Sequence, residues 1–146
     1  MDPRSKEDRS AAILQALTGN TELQYDDALN LVGGLSRQYG KSNMIVVGSS
    51  LGGGVGAYAG SHWGVKTITF NAAGVHPDNV GPHIDMVTNY FMSGEFLTRM
   101  QEKRPWLPRA IGTQIMVNPT PGDANLGGID RHFIEPMQRA LEWWGM

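Results

Sequence analysis

The hydrophobic pattern of the chain switches period several times. Residues 8–18 (DRSAAILQALT) read as a short helix closed by Gly19-Asn20. A second helix fits 21–39, where Ala28, Leu31, Val32, Leu35 and Tyr39 recur at helical spacing, with Thr21 and Gln24 as a capping box and Gly40 at the stop. At 43–48 (NMIVVG) the period is lost in a continuous run with no polar face, which predicts a buried parallel strand. A helix over about 51–63 follows, then strands at 65–70 (VKTITF), 86–92 (MVTNYFM) and 113–117 (TQIMV). Between them lie a Pro/Gly loop at 71–85 and a mixed stretch at 93–111 broken by Pro105 and Pro108. The last helix carries Phe133, Met137, Ala140, Leu141 and Trp144 on one stripe, with Pro136 in its first turn. Strands alternating with helices predict an α/β fold, a mostly parallel sheet of about four strands flanked by helices.

At 146 residues the chain is long enough for one domain with a hydrophobic core, and residues 1–146 are read as that single domain. Apolar residues at 40% and charged residues at 18% fit a globular chain. The net charge of −2 gives no reason to expect nucleic acid, and the chain is read as having no basic run and no interleaved basic-aromatic stretch. Cysteine is absent, which excludes disulfides, thiolate metal sites and thiol chemistry. No apolar run approaches the roughly 20 residues of a membrane span, and the N-terminus has no signal-peptide apolar stretch. The chain is therefore expected to be soluble, with its compartment open. Glycine is the outlier, 19 of the 146 residues, with six of them concentrated within 48–60.

That crowding contains the candidate chemistry. Gly48-Ser49-Ser50-Leu51-Gly52 matches G-x-S-x-G, with a strand running into it and a helix leaving it, the context a nucleophile elbow requires. On this reading Ser50 projects from a strained turn, and Gly48 and Gly52 avoid clashes with neighbouring backbone. The Leu51 N–H, at the positive end of the following helix, faces a developing oxyanion. A phosphate-binding loop is the rival, but no Lys follows these glycines. Serine needs a base. His62 is too far along the helix, and His76 and His83 lie in the 71–85 loop. His132 alone leaves room for a strand and an acid before it, in the order serine, acid, histidine. The acid expected after the third strand is Glu95; Asp78, Asp85, Asp123 and Asp130 compete, with Asp78 the best of them.

Residues 45–75, from Ile-Val-Val-Gly-Ser-Ser-Leu-Gly-Gly-Gly through Thr-Phe-Asn-Ala-Ala-Gly, resemble the lipase class 3 type of α/β-hydrolase, and more closely bacterial lipase-like domains with a G-H-S-L-G-G-G elbow. The likeness continues more loosely through Ser93-Gly94-Glu95-Phe96-Leu97, where such domains carry the triad acid, and to His132, where their final histidine falls. It implies a serine ester hydrolase acting on lipid or phospholipid acyl esters, with no metal or organic cofactor. Domains of this kind sit at the ends of large bacterial toxin-like proteins, so the resemblance leaves the location unknown, with a cytoplasmic chain and delivery within a larger secreted protein as the two expectations. Trp63, Trp106, Trp143, Trp144 and Phe96 are candidates to line an acyl site. The chain departs from the family in Ser49 for histidine, in Glu95 for aspartate, and in the absence of strands before residue 43. In that family the loop after one of those earlier strands supplies the second oxyanion donor. A partial α/β-hydrolase fold follows, whose 43–48 edge is expected to be covered by a second copy, a partner segment or a missing N-terminal region. Two rivals share these residues: a non-catalytic hydrolase-like remnant kept for binding or assembly, and an acyltransferase using the same three groups.

Overall fold

The computed structural model describes residues 21–146, so the helix expected over 8–18 lies outside the described residues, as does the Thr21 side chain of the expected cap. Four parallel strands form one sheet in sequential order, β1 (Ile45–Ser49), β2 (Lys66–Phe70), β3 (Val87–Met92) and β4 (Thr113–Val117). Helix α1 (Thr21–Tyr39) precedes β1, and α2 (Ser50–Trp63) links β1 to β2. Helix α3 (Phe96–Lys103) links β3 to β4, and α4 (Ile134–Trp144) closes the chain. The fold is α/β, as the alternating pattern predicts. The mixed 93–111 stretch holds α3, which ends before Pro105 because proline disfavours helix in the residue ahead of it.

Three clusters of buried residues form the core, one of them joining Ala57 of α2 to Val75, Val87 and Ile111, and the other two lying on opposite faces of the sheet. On one, α1 and α2 bury Val32, Ala59 and Val65, with Met44, Val46 and Trp63 packed alongside. Glycine makes this contact close: a Cβ at Gly33 would stand 2.4 Å from the Trp63 ring. The buried stripe of α1 therefore runs through Val32, Gly33 and Ser36. Leu31 and Tyr39, read from the sequence as part of it, are exposed. On the other face α4 seals Met92, Val117, Met137 and Ala140, with Phe70, Tyr90 and Leu141 at the margin. The ends of the stripe read for α4 lie outside this seal, since Phe133 and Trp144 are exposed.

The run at 43–48 is not a buried strand. It forms β1, at the edge of the sheet, where Ile45 and Val47 are 55% and 64% exposed. The alternate residues of the run, Met44 and Val46, pack on the side of α1 and α2. An apolar residue on both faces predicts burial only when both faces are covered. Among the described residues, helices cover one face here and α4 sits over β3 and β4 instead.

Candidate active site

Parallel strands bring their C-terminal ends to one edge, and the loops there gather the candidate residues. β1 runs directly into α2 at Ser50, which holds φ 54, a left-handed value rare for a side chain larger than glycine. The turn is possible because Gly48 has no side chain: a Cβ there would lie 2.3 Å from the Gly52 carbonyl oxygen. Gly52 itself is different. A Cβ at Gly52 meets nothing within 4 Å, so the steric need read for it from the motif is not met in the structure. The close approaches belong to Gly53 and Gly54, which pack on Ala72 and Ala73.

Ser50 Oγ lies 2.8 Å from His132 Nε2, and His132 Nδ1 lies 2.6 Å from Glu95 Oε2. The three side chains expected to act together thus form one line across 82 residues of sequence. His132 and Glu95 are buried. Glu95 also serves as the N-cap of α3, its carboxylate accepting the Leu97 N–H at 2.9 Å and the Thr98 N–H. These amides make the carboxylate an acceptor, so the shared proton belongs on His132 Nδ1. Nε2 is then left with a lone pair for the Ser50 hydroxyl. This is the arrangement a general base requires.

Three further residues hold His132 in place, and sequence reasoning assigned no role to them. Asn71, buried at the end of β2 with φ 46, donates through Nδ2 to the Arg131 and His132 carbonyls at 3.2 and 3.1 Å. Its Oδ1 accepts the Met92 N–H at 2.8 Å. Arg131 donates to the Leu126, Ser93 and Ala124 carbonyls, tying the loop ahead of His132 to the loop ahead of Glu95. Arg139 then fastens α4 through a paired contact with Asp123, both bonds at 2.9 Å. The Arg139 guanidinium, opposed by burial and helped by the Thr120 hydroxyl, holds the Asp123 carboxyl below its ordinary value.

The competing residues go elsewhere. Asp78 is 87% exposed beside His76, which excludes it as a partner for a buried histidine. Asp123 is committed to Arg139. His62 hydrogen-bonds the Asn79 carbonyl, and His76 Nδ1 accepts the Asp78 N–H.

A cavity of about 440 Å³ opens beside the elbow, lined by Leu51, Leu97, Met100, Trp106 and Leu107, with Tyr25 from α1 at its wall. Its size and apolar walls suit a small-molecule chain. Burial, and secondarily the neighbouring Tyr58, raise the Tyr25 phenol above its ordinary value, so it remains a hydrogen-bond donor. No side chain caps the start of α2, which leaves the Leu51 end of that helix open to an anionic group. Of the aromatic residues proposed for an acyl site, only Trp106 lines this cavity. Trp63 packs between α1 and α2, and its indole N–H donates to the Leu29 carbonyl. Phe96 borders a neighbouring cleft, and Trp143 and Trp144 are exposed on α4.

The model of a phospholipase-like family, described as the Tle-like phospholipase domain, matches residues 3–129. The chain belongs to this family. The matched span contains Ser50 and Glu95 and stops short of His132. An extracellular phospholipase A1 of Serratia liquefaciens is 30% identical over 125 residues, covering 77% of this chain. The chain spans 38% of the length of that relative. The family shown is thus a phospholipase family; neither match names the lipase class 3 type suggested by residues 45–75. Among the described residues, no helix is long and apolar enough to cross a membrane.

Proposed function

We propose that this chain is a serine hydrolase of phospholipid acyl esters. The observation that carries the reading is the line Ser50–His132–Glu95, with contacts of 2.8 and 2.6 Å. His132 Nε2 takes the hydroxyl proton as Ser50 Oγ attacks the acyl carbonyl carbon. The carbonyl oxygen becomes an oxyanion facing the Leu51 N–H and the start of α2. On collapse the ester C–O bond breaks, and the departing alcohol takes the proton from His132. Water then repeats the sequence on the acyl-serine, releasing a fatty acid and restoring Ser50. Glu95 holds the His132 tautomer and opposes the charge of the imidazolium. The apolar cavity beside Leu51 takes the acyl chain. The family match and the phospholipase A1 relative support a phospholipid as the ester. The likeness of residues 45–75 to lipase class 3 rests on the elbow used here.

The test is labelling with a fluorophosphonate probe, alongside fatty-acid release from phospholipid. Labelling of the parent, lost in Ser50→Ala and His132→Ala, is the expected result. A folded parent that neither labels nor releases fatty acid would overturn the reading and favour a binding remnant. Transfer of the acyl group to an added alcohol in preference to water would instead identify an acyltransferase.

A further inference from the structure

Against a net charge of −2 for the whole chain, residues 99–109 carry Arg99, Lys103, Arg104 and Arg109 with the single acid Glu102, a local excess of three positive charges. Within them Lys103-Arg104-Pro105-Trp106-Leu107-Pro108-Arg109 interleaves cations with an aromatic tip, contrary to the expectation that no such stretch exists. All four cations are exposed. Among the described residues none of them has a carboxylate within ion-pair distance. Arg104 instead lies over the Trp106 ring, 5.8 Å from its centre.

Two further observations give this segment a direction. Trp106 is 74% exposed although it also lines the cavity beside Leu51, so its indole stands at the cavity mouth. Arg99, Lys103 and Arg104 border one cleft of about 310 Å³, which shares Met100 and Arg104 with that cavity. Prolines 105 and 108 bracket the tip and restrict its backbone. An exposed indole flanked by long cationic side chains matches an interface that is apolar below and anionic above.

We propose that residues 99–109 dock the protein on an anionic phospholipid membrane. Trp106 enters the headgroup region while Arg99, Lys103, Arg104 and Arg109 meet lipid phosphates. Docking this way sets the cavity mouth against the bilayer, so a lipid reaches Ser50 without crossing water. The inference rests on the lipid-ester reading for its purpose, but the binding itself is separable from catalysis.

The experiment uses the Ser50→Ala chain, so that no lipid is consumed, with sedimentation against vesicles of phosphatidylcholine alone or with a third phosphatidylglycerol. Binding to the anionic vesicles, weak binding to the neutral ones and weakening by salt are expected. Lys103→Gln with Arg109→Gln, both added to that chain, should weaken anionic binding roughly 30-fold, at about one lipid-surface charge interaction each. Trp106→Phe should remove the blue shift of tryptophan emission on binding. Near-equal binding to both vesicle types, unchanged affinity in the double variant, or a blue shift that disappears only when Trp143 and Trp144 are replaced would overturn the proposal. So would no binding by a folded protein. Fluorophosphonate labelling of the chain with Ser50 intact, with and without the two glutamines, reads the lipid-ester proposal separately. Vesicle binding without labelling would leave this surface standing and that chemistry refuted.

Discussion

Asn71 is the residue whose replacement tests most of the reasoning about how His132 is held. The side chain is 1% exposed and makes three hydrogen bonds, one from the Met92 N–H and two to the carbonyls of Arg131 and His132. In Asn71→Ala the Met92 N–H, at a fully buried residue, loses its acceptor, which costs about 1–3 kcal/mol. The lost donor to the two carbonyls adds about 1 kcal/mol. Holding alanine at φ 46, where asparagine is tolerated, adds roughly another 1 kcal/mol. The sum, about 3–5 kcal/mol, is a large part of the ~5–15 kcal/mol that stabilises a typical domain. Urea unfolding followed by circular dichroism reads it directly. Asn71→Gly removes the same bonds without the backbone strain, so it should recover roughly 1 kcal/mol relative to alanine. Both variants also release the backbone that carries the imidazole. A displacement of about 1 Å from the 2.8 Å contact with Ser50 lowers reactivity roughly 100-fold. The fluorophosphonate labelling rate, measured where the variant is still folded, should fall by that order. A stability loss under about 1 kcal/mol together with an unchanged labelling rate would refute the view that Asn71 positions His132.

Other expectations separate the roles of neighbouring residues. Glu95→Gln keeps an oxygen to cap α3 but removes the charge behind His132; kcat on a soluble ester should fall about 10³–10⁴-fold with a stability change under about 2 kcal/mol, and a loss under tenfold would deny Glu95 its proposed part. Gly48→Ala, which drives a Cβ into the Gly52 carbonyl, should prevent native folding or abolish labelling, whereas Gly52→Ala should leave stability equal or raise it by up to about 1 kcal/mol, as thermal melting will show. Because Arg139 lowers the Asp123 carboxyl, the stability from this pair is present above the unfolded carboxyl value near 4 and is lost as pH falls through the lower folded value. Asp123→Asn should therefore be less stable than the parent at pH 7, with the gap closing below about pH 4 in unfolding curves taken across that range.

The parts of the site legible in the sequence are those whose physics is local. An elbow is a strand, a tight turn and a helix within about a dozen residues, so Gly48, Ser50 and Leu51 announce themselves in series. Glu95 is legible because it follows the third strand, where the order serine, acid, histidine expects the acid; the helix it caps is not, since 93–111 reads as a mixed stretch. His132 follows from chain order, since no other histidine comes late enough. What the pattern does not carry is the choice between faces. Apolar residues at 45–48 are compatible with a strand covered on both sides, and only the position of β1 at the sheet edge leaves Ile45 and Val47 exposed. In α1 the buried stripe shifts because Gly33 and Ser36 supply contact through closeness rather than through apolar bulk, which a hydrophobic period does not register. Nor does the pattern carry hydrogen bonds between distant segments. Asn71 reaches the His132 carbonyl across 61 residues, and Arg131 reaches Ser93 across 38. A signal for Asn71 did exist: an asparagine directly after a β-branched strand favours a left-handed turn. That tendency tells where the strand bends, not what the amide meets there. The cationic 99–109 segment was hidden for a different reason, because a net charge near zero averages an acidic remainder against a local excess of three. Net charge constrains a partner only when it is taken over the surface that meets the partner, and that surface is known only once α3 and the Trp106 tip are placed beside the same cavity.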